Sequence, residues 1–390
     1  MTLPLAGIRV LDLSRFFAGP FCTQILADYG AEVIKVEDPV MGDPGRWVPP
    51  IIEGQSALFF TVNRNKKSVT IDMRKDEGKE LFKQLVQQSD VVIDAFRPGV
   101  MEKLGLGYGE LSSVNQGIIY CALNGYGSSG PLKESPGHDI NFLSLAGVNL
   151  LTASRSGVPA LSSAQIAGGS GALNAVIAIL MALFSRQQTG KGQFCDVSMV
   201  DSSLSLLSYA MGDWAGSGQF PSPGGERLTG GNACYNIYET KDGKYISIGA
   251  VEEKFWVKFC EGIGRKEFIA SQWADDQQMK MIEEIEQITK QRTRQEWEDV
   301  FAGQEICFAP VLTLDEIGSH PHIQERGTVF ATEQAGIKLP LVGPAARLSK
   351  TPAQVDCTFS SLGEHNKELL DMLGYTEQDR EKLKKIGVIS

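Results

Sequence analysis

The chain has 390 residues, 42% hydrophobic and 22% charged, the composition of a soluble globular protein with two or three domains. Its 37 basic and 47 acidic residues leave a formal charge of −10, which argues against broad nucleic-acid or membrane-surface binding but allows a local basic pocket. Residues 172–184 are apolar, but Asn174 interrupts them and they are too short to span a bilayer. No basic segment followed by an apolar core opens the chain, so no secretory signal is expected. Seven cysteines lie far apart without a Cys-x-x-Cys pair, which reads as reduced thiols in the cytoplasm rather than a disulfide framework or a zinc site.

Residues 8–13 form a β-type run, and Ala18-Gly19-Pro20 breaks it. A helix follows over 21–29, Gly30 closes it, and 32–36 is a second strand ending at Glu37. Strand, helix and strand within about thirty residues make a βαβ unit and hence a parallel sheet. The unit recurs as a strand over 68–73, a helix over 75–88 and a strand over 91–95, and 118–123 adds another strand before the glycine-rich 125–130. A dinucleotide site would need G-x-G-x-x-G after the first strand, whereas 14–20 holds only Gly19. A doubly wound α/β scaffold without NAD is expected.

A small-residue helix within 163–188, buried all round, ends at the basic turn 189–193, and a strand follows over 194–199. The Gly, Ser and Pro cluster within 210–230 reads as a linker. A second block has strands at 236–239, 245–248 and 307–312 and charged helices at 253–263, 279–291 and 293–303. After Gly327 the chain is rich in strands and loops, and two polar helices, 364–373 and 377–385, end it with Thr376 as the N-cap of the second.

Several stretches carry a resemblance when taken together. They are 5–12, Ala18-Gly19-Pro20, 30–37, Gly42-Asp43, 65–68, Arg97-Pro98-Gly99-Val100, Gly137-His138-Asp139-Ile140-Asn141, 189–193, Asp242-Gly243-Lys244 and His320-Pro321-His322. In this order they resemble the class III CoA-transferase family, which includes carnitine, formyl-CoA and bile-acid CoA-transferases and α-methylacyl-CoA racemase. The resemblance implies a large doubly wound, Rossmann-like domain over 1–209 completed by 328–390, and a smaller α/β domain over 231–317. Linkers at 210–230 and 318–327 would join them, and two subunits would interlock as a homodimer. It implies coenzyme A and acyl-CoA as substrates with carboxylic acids, with no permanently bound cofactor, nucleic acid or membrane.

Coenzyme A carries a 3′-phosphate and a pyrophosphate, so its pocket needs cations: arginine for bidentate contact and lysine as a point charge. By the resemblance, Arg15, Phe16, Phe17, Ile71, Arg74, Ala95, Phe96, Arg97 and Lys103 match CoA-contacting positions, and Arg46 is a further candidate. They fall at the carboxyl ends of successive expected strands, where α/β sheets bind ligands. His138 matches the histidine that removes the α-proton of a thioester in racemase-like members, a task suited to a base poised near neutrality. Glu252 matches the carboxylate that orients it.

The pattern also departs from the family. A second racemase base is expected just before the small-residue helix, yet 163–169 holds no carboxylate; the loop 152–159, where a transferase nucleophile is expected, holds none either. Asp139 is then the best-placed carboxylate for the nucleophile, with helix-end stabilisation as its structural alternative. Three readings stay open: a CoA-transferase, an α-proton-transfer enzyme using His138 and Glu252, and an acyl-CoA-binding protein with little catalysis.

Overall fold

The computed structural model describes residues 2–52, 54–154, 156–334 and 337–390. The chain falls into two compact units. One runs from the N-terminus to Leu143 and takes in Ala164–Ser205 and Gly318–Ser390; the other is Ser144–Ser163 with Leu206–Ile317. Residues 144–163, grouped with the first block in the sequence reading, thus belong with the second.

The first unit holds a parallel sheet of β1 (Arg9–Asp12), β2 (Glu32–Glu37), β3 (Lys66–Thr70), β4 (Val91–Asp94), β5 (Ile119–Asn124) and β6 (Phe194–Ser198). Their order is β3-β2-β1-β4-β5-β6, so the direction of winding reverses between β1 and β4. Strand residues alternate between two cores. Val10, Val33, Val91, Ile93 and Cys121 pack with Leu26 of α1 (Ala18–Asp28) and Ala175 and Ile179 of the long helix. Leu11, Ile34, Val92 and Tyr120 join Leu81, Phe82 and Leu85 of α2 (Asp76–Gln87) and Leu111 of α3 (Tyr108–Val114). Leu369, Leu370, Leu383, Val388 and Ile389 from the C-terminal segment complete this second layer. Both faces are covered, as parallel sheets require.

Four expectations needed correction. The third strand begins at Lys66, earlier than expected, because this lysine is buried: its Nζ donates to Pro20 O, Asn63 Oδ1 and Asp12 Oδ2 at 2.8, 3.0 and 3.1 Å. The helix of small residues, which follows α4 (Asp139–Leu145), is α5 (Ile166–Thr189), 24 residues and by length and composition enough to cross a membrane. Asn174 does not break it, since Nδ2 donates to Ser170 O at 3.0 Å within the helix. Nor is α5 buried all round: Ala172, Ala175, Ile179 and Ala182 face the core, while Leu173, Ile177, Leu180, Met181 and Phe184 are exposed in the single chain. Finally, the first part of the expected linker is helical, as α6 (Ser208–Ser217).

The second unit carries an antiparallel sheet of β7 (Tyr235–Glu239), β8 (Tyr245–Gly249) and β9 (Phe308–Val311), with β8 central. Helices α7 (Glu253–Gly262), α8 (Gln278–Thr289) and α9 (Arg294–Phe301) set Trp256, Phe259, Ile282, Ile285, Trp297 and Phe301 against it. Both buried indoles are satisfied: Trp256 Nε1 donates to Phe268 O at 3.0 Å and Trp297 Nε1 to Thr289 O at 2.9 Å.

Candidate active site

In open α/β sheets ligands bind beyond the carboxyl ends of the strands where the winding reverses, here beyond β1 and β4. The loop after β1 is fixed by buried charges. Asp12 accepts from the backbone N–H of Ser14 at 2.9 Å and from its hydroxyl, and from Thr23 Oγ1 at 2.6 Å. Lys35 Nζ donates to Ser14 O and pairs with Asp43 Oδ2, both at 2.9 Å. Burial alone would raise the Asp12 carboxyl, but Lys35 and Lys66 outweigh it and hold Asp12 far below the usual carboxylate range. Burial pushes Lys66 the other way, down to about 8. The charges satisfy one another, so this network holds the loop rather than a ligand.

That loop presents Arg15 and Phe16 to solvent and Phe17 half-buried. The Arg15 guanidinium lies 4.9 Å above the ring of Phe96, which stands on the loop after β4. Two sequence-predicted CoA residues thus meet across the reversal point. Arg97 is exposed beside Phe96, and Ala95 is half-buried.

Sequence reasoning passed over the residue beneath this second loop. Asp94 is buried at the end of β4; its Oδ1 accepts from Phe96 N–H at 2.8 Å and its Oδ2 from the Tyr120 hydroxyl at 2.5 Å. Burial pushes its carboxyl up to about 6, against those two bonds and with help from nearby Glu102. The available signal was an acid ending an otherwise apolar strand, Val91-Val92-Ile93-Asp94. A cleft of about 290 Å³ opens here, lined by Asp94, Phe96, Arg97, Glu102, Tyr120, Lys133 and Phe194 among others.

The third element of the site is α4. A Cβ added at Gly125 or Gly137 would fall 2.4 or 2.6 Å from the buried Phe142 ring, so these glycines let the preceding loop close over that ring. His138 and Asp139 follow at once. The His138 imidazole is exposed and makes no hydrogen bond among the described residues. Asp139 Oδ1 accepts from the backbone N–H of Gly168, in the first turn of α5, at 2.8 Å. Phe17 adjoins the same turn, since a Cβ at Gly168 would lie 2.9 Å from its ring. Asp139, Gly168 and Phe17 therefore converge.

Other predicted residues stand apart from this convergence. Ile71 is 3% exposed within the core beside α2. The Arg74 side chain is 68% exposed and ion-paired with Asp72 at 2.6 Å and Asp38 at 3.0 Å. Lys103 is exposed on the short helix Val100–Lys103. Arg46 is fully engaged: buried, it grips both oxygens of Glu37 at 2.8 Å and stacks 4.1 Å from the Phe59 ring. It is a structural arginine, not a free cation. Glu252 is exposed at the N-cap position of α7 in the second unit. In that unit Ala153 and Pro159 form an isolated antiparallel bridge, Ser154 Oγ and Ser156 Oγ lie 2.7 Å apart, and Gly224 packs directly on the Ser154 carbonyl. Among the described residues no group of three His, Cys, Asp or Glu side chains is placed to hold a metal ion.

Comparison with known proteins shows the family of the chain and relatives of its fold. Human α-methylacyl-CoA racemase is 34% identical over 97% of this chain and 95% of its own length. Succinyl-CoA–D-citramalate CoA-transferase of Chloroflexus aurantiacus is 33% identical over 99% of this chain and 98% of its own. The crystal structure of a CaiB/BaiF family protein from Brucella suis superposes with a TM-score of 0.83 at 30% identity, covering 96% of this chain and all of that one. Residues 5–366 match the family described as CoA-transferase family III, to which this chain belongs.

Proposed function

We propose that this enzyme moves coenzyme A between carboxylic acids, taking an acyl-CoA and a free acid as its substrates. The observation that carries the reading is the meeting of Arg15 with Phe96 across the reversal point of the sheet. It supports a CoA site in which Arg15 and Arg97 would meet the anionic groups and Phe16, Phe17, Ala95 and Phe96 the apolar parts. Arg74 and Lys103 would supply charge further out, and Ile71 would act through its backbone and core packing.

In this reading the Asp139 carboxylate attacks the thioester carbonyl and expels the CoA thiolate, leaving a mixed anhydride on the enzyme. The thiolate then attacks the aspartyl carbonyl, releasing the first acid and leaving an enzyme-bound CoA thioester. The incoming carboxylate repeats the sequence in reverse and departs as the new acyl-CoA. His138, exposed on the same turn, would meet the reacting thioester.

The exposed stripe Leu173, Ile177, Leu180, Met181 and Phe184 supports an interlocked homodimer, because monomers rarely leave so long an apolar face uncovered. Large Rossmann-like and smaller α/β domains, CoA as substrate rather than resident cofactor, and a cytoplasmic location with reduced thiols complete the proposal. Asp139→Ala should abolish transfer, and hydroxylamine or borohydride should trap the intermediate on Asp139. Transfer that survives Asp139→Ala at the wild-type rate would remove this nucleophile. Proton exchange lost in His138→Ala, with no transfer in the wild type, would replace the proposal by the proton-transfer reading.

A further inference from the structure

Among the described residues only Phe16 and Asn65 adopt a positive φ without being glycine, at 64° and 61°. Asparagine tolerates that conformation, whereas phenylalanine there is an outlier. Such strain persists only where the surroundings over-determine it, and it gathers at functional positions. At Phe16 the determining group is identifiable. Asp43 Oδ1 accepts from Phe16 N–H at 3.1 Å and from Gly45 N–H at 2.8 Å, while its Oδ2 is held by Lys35 Nζ at 2.9 Å. Both Asp43 and Lys35 are buried. A Cβ at Gly45 would lie 3.1 Å from Asp43 Oδ1 and 3.5 Å from Phe16 Cα, so the turn after Asp43 fits closely against the strained residue. Held this way, Phe16 leaves its side chain in solvent, 57% exposed, next to Arg15.

We infer that Asp43 is a positioning residue that holds Phe16 left-handed, so that its ring stands free at the reversal point to cover the apolar part of a bound CoA thioester. The inference rests on the proposal that CoA binds there. Among the described residues this ring belongs to neither core of the first unit, and its backbone conformation would be easier for glycine.

The test measures CoA affinity by calorimetry, KM and kcat for an acyl-CoA, and Tm. Phe16→Gly relieves the backbone and removes the ring; it should keep or raise Tm while weakening CoA affinity at least fivefold, with KM moving more than kcat. Phe16→Asn, which suits the conformation but lacks the ring, should behave the same way. Asp43→Asn keeps the acceptor oxygen and loses the lysine pairing, and should weaken CoA two- to fivefold with a lower Tm. In the Phe16→Gly background it should cost no further affinity, because Asp43 then has no ring to position. Wild-type affinity in Phe16→Gly, or additive losses in the double variant, would overturn the inference alone. Absence of CoA binding by the wild type would overturn both the inference and the reading beneath it.

Discussion

Asp94 is the residue whose chemistry was least visible in the sequence and is most testable in the fold. Its carboxyl is raised by burial from about 3.8 to about 6, so between those values the folded state holds a proton that the unfolded state has released. This group's contribution therefore falls as pH rises through that window, by about 3 kcal/mol in all at ~1.4 kcal/mol per unit. Asp12 and Glu37 act with the opposite sign: both are lowered in the fold, and what they contribute is lost as pH falls. The difference between Asp94→Asn and wild type isolates the first effect. Denaturant unfolding should show the variant more stable at pH 7.5 and equal at pH 4; a variant less stable at pH 7.5 would contradict the assignment. The residues singled out beforehand were those whose chemistry is suggested by type and place, such as Arg15, Phe96 and Asp139. Asp94, Asp43 and Lys66 were not, because their roles arise from burial and from partners far away in the chain.

At the scale of elements, the alternating strands and the helices between them were readable because apolar periodicity follows directly from which face is buried. Thr376 caps its helix as expected, through a reciprocal bond with Asp379. Errors arose where burial and pattern part company: Lys66 looks like a surface residue, and Asn174 looks like a break. The long helix α5 shows the limit most plainly. Its small residues mark close packing against α1, yet its larger ones are exposed, and a single chain's sequence does not say what covers them. If a second subunit does, Ile177→Lys with Phe184→Glu should turn a dimer into a monomer or an aggregate, measured by light scattering after size exclusion. A double variant with unchanged mass would assign this face another role.

The whole molecule has a family scaffold, and neither loop in which the resemblance leads one to expect a carboxylate, 152–159 or 163–169, carries one. The scaffold and the reversal-point cluster were legible from ordered motifs spread along the chain. What the two units do together was not, because Glu252 and His138 belong to different ones. The account's central claim is transfer of CoA between acids, and one incubation addresses it. Purified protein, a branched acyl-CoA and D₂O would be analysed by mass spectrometry with and without an added carboxylic acid. The account predicts a new acyl-CoA only when the acid is present, with no deuterium at the α-carbon of the donor. Deuterium gained without acid, and no new thioester with it, would contradict transfer and make the protein a proton-transfer enzyme acting through His138.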